Sequence, residues 1–178
     1  MNIPHFDKVD LNNISAKFTA DGMHRSLLEI PLLNRTGKDV ICIIGQNPST
    51  ANAQHADKTL YYLEKYVYEK LPQYSKIIML NLYSRVDTTK SATDDLLTLD
   101  CERVFRRTIQ SNRNFLIVFG KLKKQGAYRF EKKAALLKKQ LKGKNIYKIG
   151  IGTSYAPHPG NRLIHYSNYS LPVVSHSL

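Results

Sequence analysis

Cysteine is scarce in this chain. Cys42 and Cys101 are the two among 178 residues, too few for a disulfide framework, a four-cysteine zinc site or a four-cysteine iron–sulfur cluster. His55, His158, His165 and His176 have no helical metal-ligand spacing, so neither a metal nor another cofactor is expected. No apolar run approaches the ~18 residues of a membrane helix. The N-terminal MNIPHFDKVD has neither a basic start nor an apolar core, so no signal peptide is expected and the chain reads as cytoplasmic, with no membrane partner. GxxxxGK[ST], GxGxxG and GxSxG are all missing, which argues against a P-loop, a dinucleotide site and a serine-hydrolase elbow. Acidic residues are also few: 14 Asp and Glu stand against 27 Lys and Arg, a net charge of +13. Such a balance favours a polyanionic partner, and nucleic acid before a membrane surface.

What is present is the composition of a soluble globular protein, with 42% apolar and 23% charged residues. The length suits one domain over 1–178, expected as a monomer. AKFTADGMHRSLLEI (16–30) reads as two strands about an Asp21-Gly22 turn, a hairpin appended to the domain at about 14–31. Cys42 falls in the first of four apolar runs, DVICIIG (39–45), and reads as core. KIIMLNL (76–82), NFLIVFG (114–120) and NIYKIGIG (145–152) follow. Helical stretches are expected at 57–71, within 92–112 and at 121–142. Strands alternating with helices predict βαβ units. The expected fold is α/β, a three-layer α/β/α arrangement around a central four-stranded, mainly parallel sheet.

Ligands of open parallel sheets sit beyond the carboxyl ends of the strands. That edge gathers Gln46 and Asn47 after the first run, Asn81 at the end of the second, Gly120 and Lys121 after the third, and His158 after the fourth. Gly45-Gln46-Asn47-Pro48, an Asn closing an apolar strand (Asn81), an aromatic-Gly-Lys turn in VFGKLKKQ (118–125) and His158-Pro159-Gly160 occur in that order. In these four loops the chain resembles the uracil-DNA glycosylase superfamily. Over most of its length it is similar to an uncharacterised bacterial domain family with Asn-Pro-Ser-Thr-Ala (47–51), Asp-x-Thr (57–59), Asn-Leu-aromatic (81–83) and a late His-Pro (158–159).

The resemblance implies a glycosylase-like fold and a monofunctional DNA glycosylase, which flips a damaged or modified pyrimidine out of DNA and hydrolyses its N-glycosidic bond. Asn47 would orient the attacking water, although an amide cannot deprotonate it; otherwise Asn47 and Pro48 build a turn. His158 would donate to the departing base. Asn81 would read its edge, with Tyr83 or Tyr61 stacking beneath. Gln46, Pro48, Ser49 and Gly120 complete the substrate-binding set. Asp57 serves either as a helix cap or as the base that Asn47 cannot be. Uracil-specific members carry Tyr where this chain has Ser49, so a pocket open to C5-substituted bases such as modified cytosines is expected. Arg162 or Leu163 stands where the superfamily places a residue that wedges into the duplex. Lys121, Lys123 and Lys124 open a basic stretch (121–144) that could neutralise DNA phosphates. No Lys lies in 45–51, against Schiff-base lyase chemistry. The alternative is a non-catalytic nucleic-acid-binding domain with a degenerate pocket.

Overall fold

A computed structural model describes residues 3–122 and 125–178. Seven strands, β1 (Ser15–Phe18), β2 (Arg25–Pro31), β3 (Asp39–Gly45), β4 (Tyr74–Asn81), β5 (Asn114–Ile117), β6 (Asn145–Ile149) and β7 (Val173–Ser175), form one sheet in the order β1-β2-β4-β3-β5-β6-β7. Among the described residues three α-helices accompany them, α1 (Lys58–Lys70), α2 (Leu99–Ser111) and α3 (Phe130–Gln140), together with a short 3-10 helix at Leu11–Asn13.

This corrects the expected four-stranded, mainly parallel sheet. The pairings β3–β4, β3–β5 and β5–β6 are parallel, whereas β1–β2, β2–β4 and β6–β7 are antiparallel. The sheet is mixed and larger than expected. The physical reason lies at its edges. An unpaired β4 would expose a row of backbone donors and acceptors; β2 covers them, with Leu28 opposite Met79 and Ile30 opposite Ile77. The 16–30 hairpin is therefore part of the sheet rather than an appendage. At the other edge β7 pairs with β6, Val173 opposite Ile149.

Alternation along the central strands splits the core in two. Ile41, Ile43, Ile77, Met79 and Leu116 face one side, where Leu60, Leu63 and Val67 of α1 pack on them. Cys42, Ile44, Ile78, Leu80, Phe115 and Ile117 face the other, against Ile109 of α2 and Phe130, Ala134 and Leu137 of α3. Both faces of these strands are buried, which is why their sequences are apolar without a break. The expected helix at 121–142 begins only at Phe130. Gly120 and Gly126 both take left-handed φ, +71° and +55°, which an α-helix running on from residue 121 does not contain. Among the described residues no helix is long and apolar enough to cross a membrane.

Because β3, β4 and β5 are parallel, their carboxyl ends share one edge of the sheet. Since β2 runs antiparallel to β4, its first residue, Arg25, lies at that same edge; the Arg25 amide donates to Ser84 O at 2.9 Å.

Candidate functional site

At this edge lies a recess of about 510 Å³, within the size range of small-molecule sites. Gln46, Asn47, Pro48, Ser49, Asp57, Asn81, Gly120, Lys121 and His158 all line it. Thus the loops after β3, β4, β5 and β6 converge, and the N-terminus of α1 joins them.

Several of the polar side chains are held by specific partners. Asn47 Nδ2 donates to the Asp87 carbonyl. A carbonyl can only accept, so the amide's orientation is fixed and Oδ1 is the end left to the recess. Asp87 is itself anchored: burial raises the pKa of its carboxyl, but donors from the Ala92 amide (2.9 Å), the Tyr128 hydroxyl (2.8 Å) and the Thr89 hydroxyl (3.1 Å) outweigh burial and pull it down to about 2. Gln46 Nε2 donates to Phe119 O at 2.7 Å, tying the β3 loop to the β5 loop. Ser49 Oγ accepts the Ala51 amide at 3.2 Å.

His158 Nδ1 accepts the Gly160 amide hydrogen at 3.0 Å. Nδ1 therefore carries no proton, and in the neutral ring the hydrogen sits on Nε2. Burial lowers the His158 pKa below its ordinary value, and Lys90 lowers it further against the opposing pull of Asp57. The site thus presents a neutral imidazole with one N–H donor, which has the Thr59 hydroxyl 3.5 Å away. Gly120 makes room for this ring: a Cβ there would stand 3.2 Å from His158 Cβ, on a backbone of left-handed φ.

Asn81 Oδ1 accepts from Arg25 Nη2 at 3.1 Å, which turns Nδ2 away from the arginine. Gly45 allows this placement, since a Cβ there would lie 2.9 Å from Asn81 Nδ2. Arg25 Nη1 donates to Ala51 O at 2.8 Å. Asp57 caps α1, its Oδ1 accepting the Leu60 amide at 2.7 Å, and it also lines the recess. The two roles expected of it as alternatives are compatible in position.

Other expected residues fall elsewhere. Tyr83 is not in the recess: its ring packs edge-on against Tyr128 and Phe130 on the α2–α3 side, and its hydroxyl accepts the Arg129 amide at 2.8 Å. The strand ends at Asn81, and the turn that follows carries Tyr83 into the core. Tyr61 instead meets Phe6 edge-to-face. Among the described residues, Phe119 and Tyr166 are the phenyl and phenol rings that line the recess, the latter edge-on to His158. Arg162 and Leu163 lie on the exposed loop after His158, outside the lining. Leu163 is 56% exposed, so it is no core residue. Lys123 and Lys124 lie outside the described residues.

The sequence reading missed Arg25, Lys90 and Tyr166. Arg25 had one available signal, its place just before the apolar run of β2, but only the pairing of β2 with β4 brings it to the site. A second hollow of about 500 Å³ adjoins the recess, sharing Phe119, Gly120 and Lys121 and adding Lys138 and Tyr155. Lys121 Nζ stands 5.4 Å from the centre of the Tyr155 ring.

No curated protein and no solved structure matches the chain. A family model does match, over residues 30–159, a span that includes Asn47, Asp57, Asn81 and His158 and starts after Arg25. The chain belongs to the DUF1643 family, described as proteins of unknown function.

Proposed function

We propose that this protein is a cytoplasmic, monofunctional DNA glycosylase that hydrolyses the N-glycosidic bond of a pyrimidine flipped out of DNA. One observation carries the reading: Asn47, Asn81 and His158 line a single recess, with His158 held in the tautomer that donates from Nε2.

In the reaction the C1′–N1 bond breaks and its electron pair leaves with the base, so negative charge gathers on the pyrimidine O2 while the sugar becomes cationic. The Nε2–H of His158 donates to that oxygen; a preorganised donor of this kind contributes about 3–4 kcal/mol to the rate. A neutral ring suits the task, because it strengthens its hydrogen bond as charge develops without first binding a proton. Asn47 Oδ1 accepts from a water and aims it at C1′. The water's oxygen bonds to C1′, and its proton passes to the Asp57 carboxylate or to solvent. Asn81 Nδ2 donates to the base edge, and Phe119 or Tyr166 supplies the ring face that Tyr83 does not.

Ser49 leaves the C5 side open, so a pyrimidine substituted at C5, such as a modified cytosine, is the favoured target. Lys121 and the adjoining hollow with Lys138 and Tyr155 give the flanking strand cationic and aromatic contacts. The exposed Leu163 has the apolar surface to wedge into the gap left by the flipped base.

The second reading, a nucleic-acid-binding domain without chemistry, is favoured by a specific feature: Asn47 is no base, and Asp57 already caps α1. Duplexes with one test base each, normal, deaminated or C5-modified, separate the two. Alkali-labile strand breaks at the test base support the glycosylase. Tight, salt-sensitive binding without breaks for every base supports the binder.

A further inference from the structure

The recess contains a guanidinium that makes no direct ion pair among the described residues, although the Asp57 carboxylate of the same recess acts on it at longer range. Arg25 is 5% exposed, yet among the described residues its bonding partners are neutral oxygens, Ala51 O and Asn81 Oδ1. Those two bonds use two of the five N–H groups of its fork, and Arg25 lines the recess. Burial depresses its pKa to about 10, with Asp57 opposing, so the group stays charged at neutral pH. Lys90 and Lys121 line the same recess, while Asp57, the carboxylate among the described lining residues, has Oδ1 engaged by Leu60. Elsewhere the fold does give a buried carboxyl a titratable partner: His5 Nδ1 stands 2.6 Å from Glu64 Oε1, both side chains fully enclosed. A buried cation whose direct contacts are dipoles is costly to keep, and a recess opening on it lets a ligand's anion complete a contact pair.

We propose that Arg25 is the floor of an anion subsite in this recess, gripping a phosphate- or carboxylate-class oxyanion of the substrate with its remaining N–H groups, while Lys90 and Lys121 add attraction. The subsite deepens the proposed function and rests on it only in taking the recess as the substrate site. For a nucleotide substrate the oxyanion has two sources: its own phosphate, or a carboxylate on the base at the C5 side that Ser49 leaves open.

Titration of the full chain, followed by NMR of the arginine side-chain N–H signals, tests this with four probes: inorganic phosphate, deoxycytidine, deoxycytidine 5′-monophosphate and C5-carboxylated deoxycytidine. Inorganic phosphate should shift the Arg25 signal. One of the charged nucleosides should bind at least about tenfold tighter than deoxycytidine, the monophosphate if the phosphate is the source and the carboxylated nucleoside if the base is. Arg25→Met should erase that preference and Arg25→Lys, which keeps charge but not the fork, should retain part of it. If Arg25→Met does not fold, Lys90→Gln should still reduce the preference. Equal binding of charged and neutral nucleosides by the native chain, or an unmoved Arg25 signal, overturns the subsite. Anion preference without base release sinks the glycosylase and leaves the subsite standing; base release without anion preference does the reverse.

Discussion

Arg25 Nη2 donates to Asn81 Oδ1 at 3.1 Å, joining the first residue of β2 to the last of β4. The bond decides what Asn81 can offer. With Oδ1 engaged by a cation, the carboxamide has Nδ2 to present, so in the proposed site it would read an acceptor on the base edge.

Asn81→Ala should therefore act twice. Losing a part-buried hydrogen bond to a charged group lowers stability by about 1.5–3 kcal/mol, seen as a lower urea midpoint. Base release should fall with it. Asn81→Asp should restore stability by pairing with Arg25 but not restore base release. Recovery of both would show that the carboxamide donor is not used.

The His158 ring sets a pH dependence. Its pKa is lowered from 6.5 by burial and Lys90, so the unfolded chain takes up the proton first. Its contribution to stability is full above 6.5 and declines as pH falls from there to the folded value. Base release should stay level down through 6.5 and drop only below the lowered value. Histidine NMR should place the His158 titration below 6.5 and move it upward in Lys90→Gln; a titration at or above 6.5 in the native chain would contradict the neutral donor.

Gly120→Ala should displace His158. Left-handed φ costs an ordinary residue roughly 1–2 kcal/mol, and the new methyl would press on His158 Cβ at 3.2 Å. A lower melting temperature and a changed His158 chemical shift are expected, with base release reduced more than DNA binding.

The loop after Ala51 is held from below by the enclosed His5–Glu64 pair. His5 Nε2 reaches Asn52 O at 3.0 Å, and Glu64 Oε2 accepts the Phe6 amide at 2.9 Å. Breaking a buried pair by removing one partner costs about 3–5 kcal/mol. Glu64→Leu should show a loss of that size in urea unfolding, well beyond the effect of Glu69→Ala on the half-exposed Lys65–Glu69 pair.

Much of this site was legible because β3, β4 and β5 are buried on both faces and end at one edge. Their apolar runs, broken at Gly45, Asn81 and Gly120, mark where the loops must gather. Arg25 was not legible, since a hairpin signal is local and says nothing about which strand lies beside it. β7 was hidden by its length, three residues after Leu171-Pro172. Tyr83 was misplaced because two positions beyond Asn81 the chain is no longer a strand, so alternation stops predicting its face. A helix is expected from residue 121, but Gly120 and Gly126 take left-handed φ and α3 starts only at Phe130.

Mass spectrometry of bases freed from duplex DNA tests the central claim most directly. With a C5-modified cytosine as the single test base, the native chain should release that base and leave an abasic site. Asn47→Ala and His158→Ala should each slow the release about a hundredfold or more while leaving the fold intact. An undiminished rate in both variants, or no base freed from normal, deaminated and C5-modified duplexes alike, would contradict it.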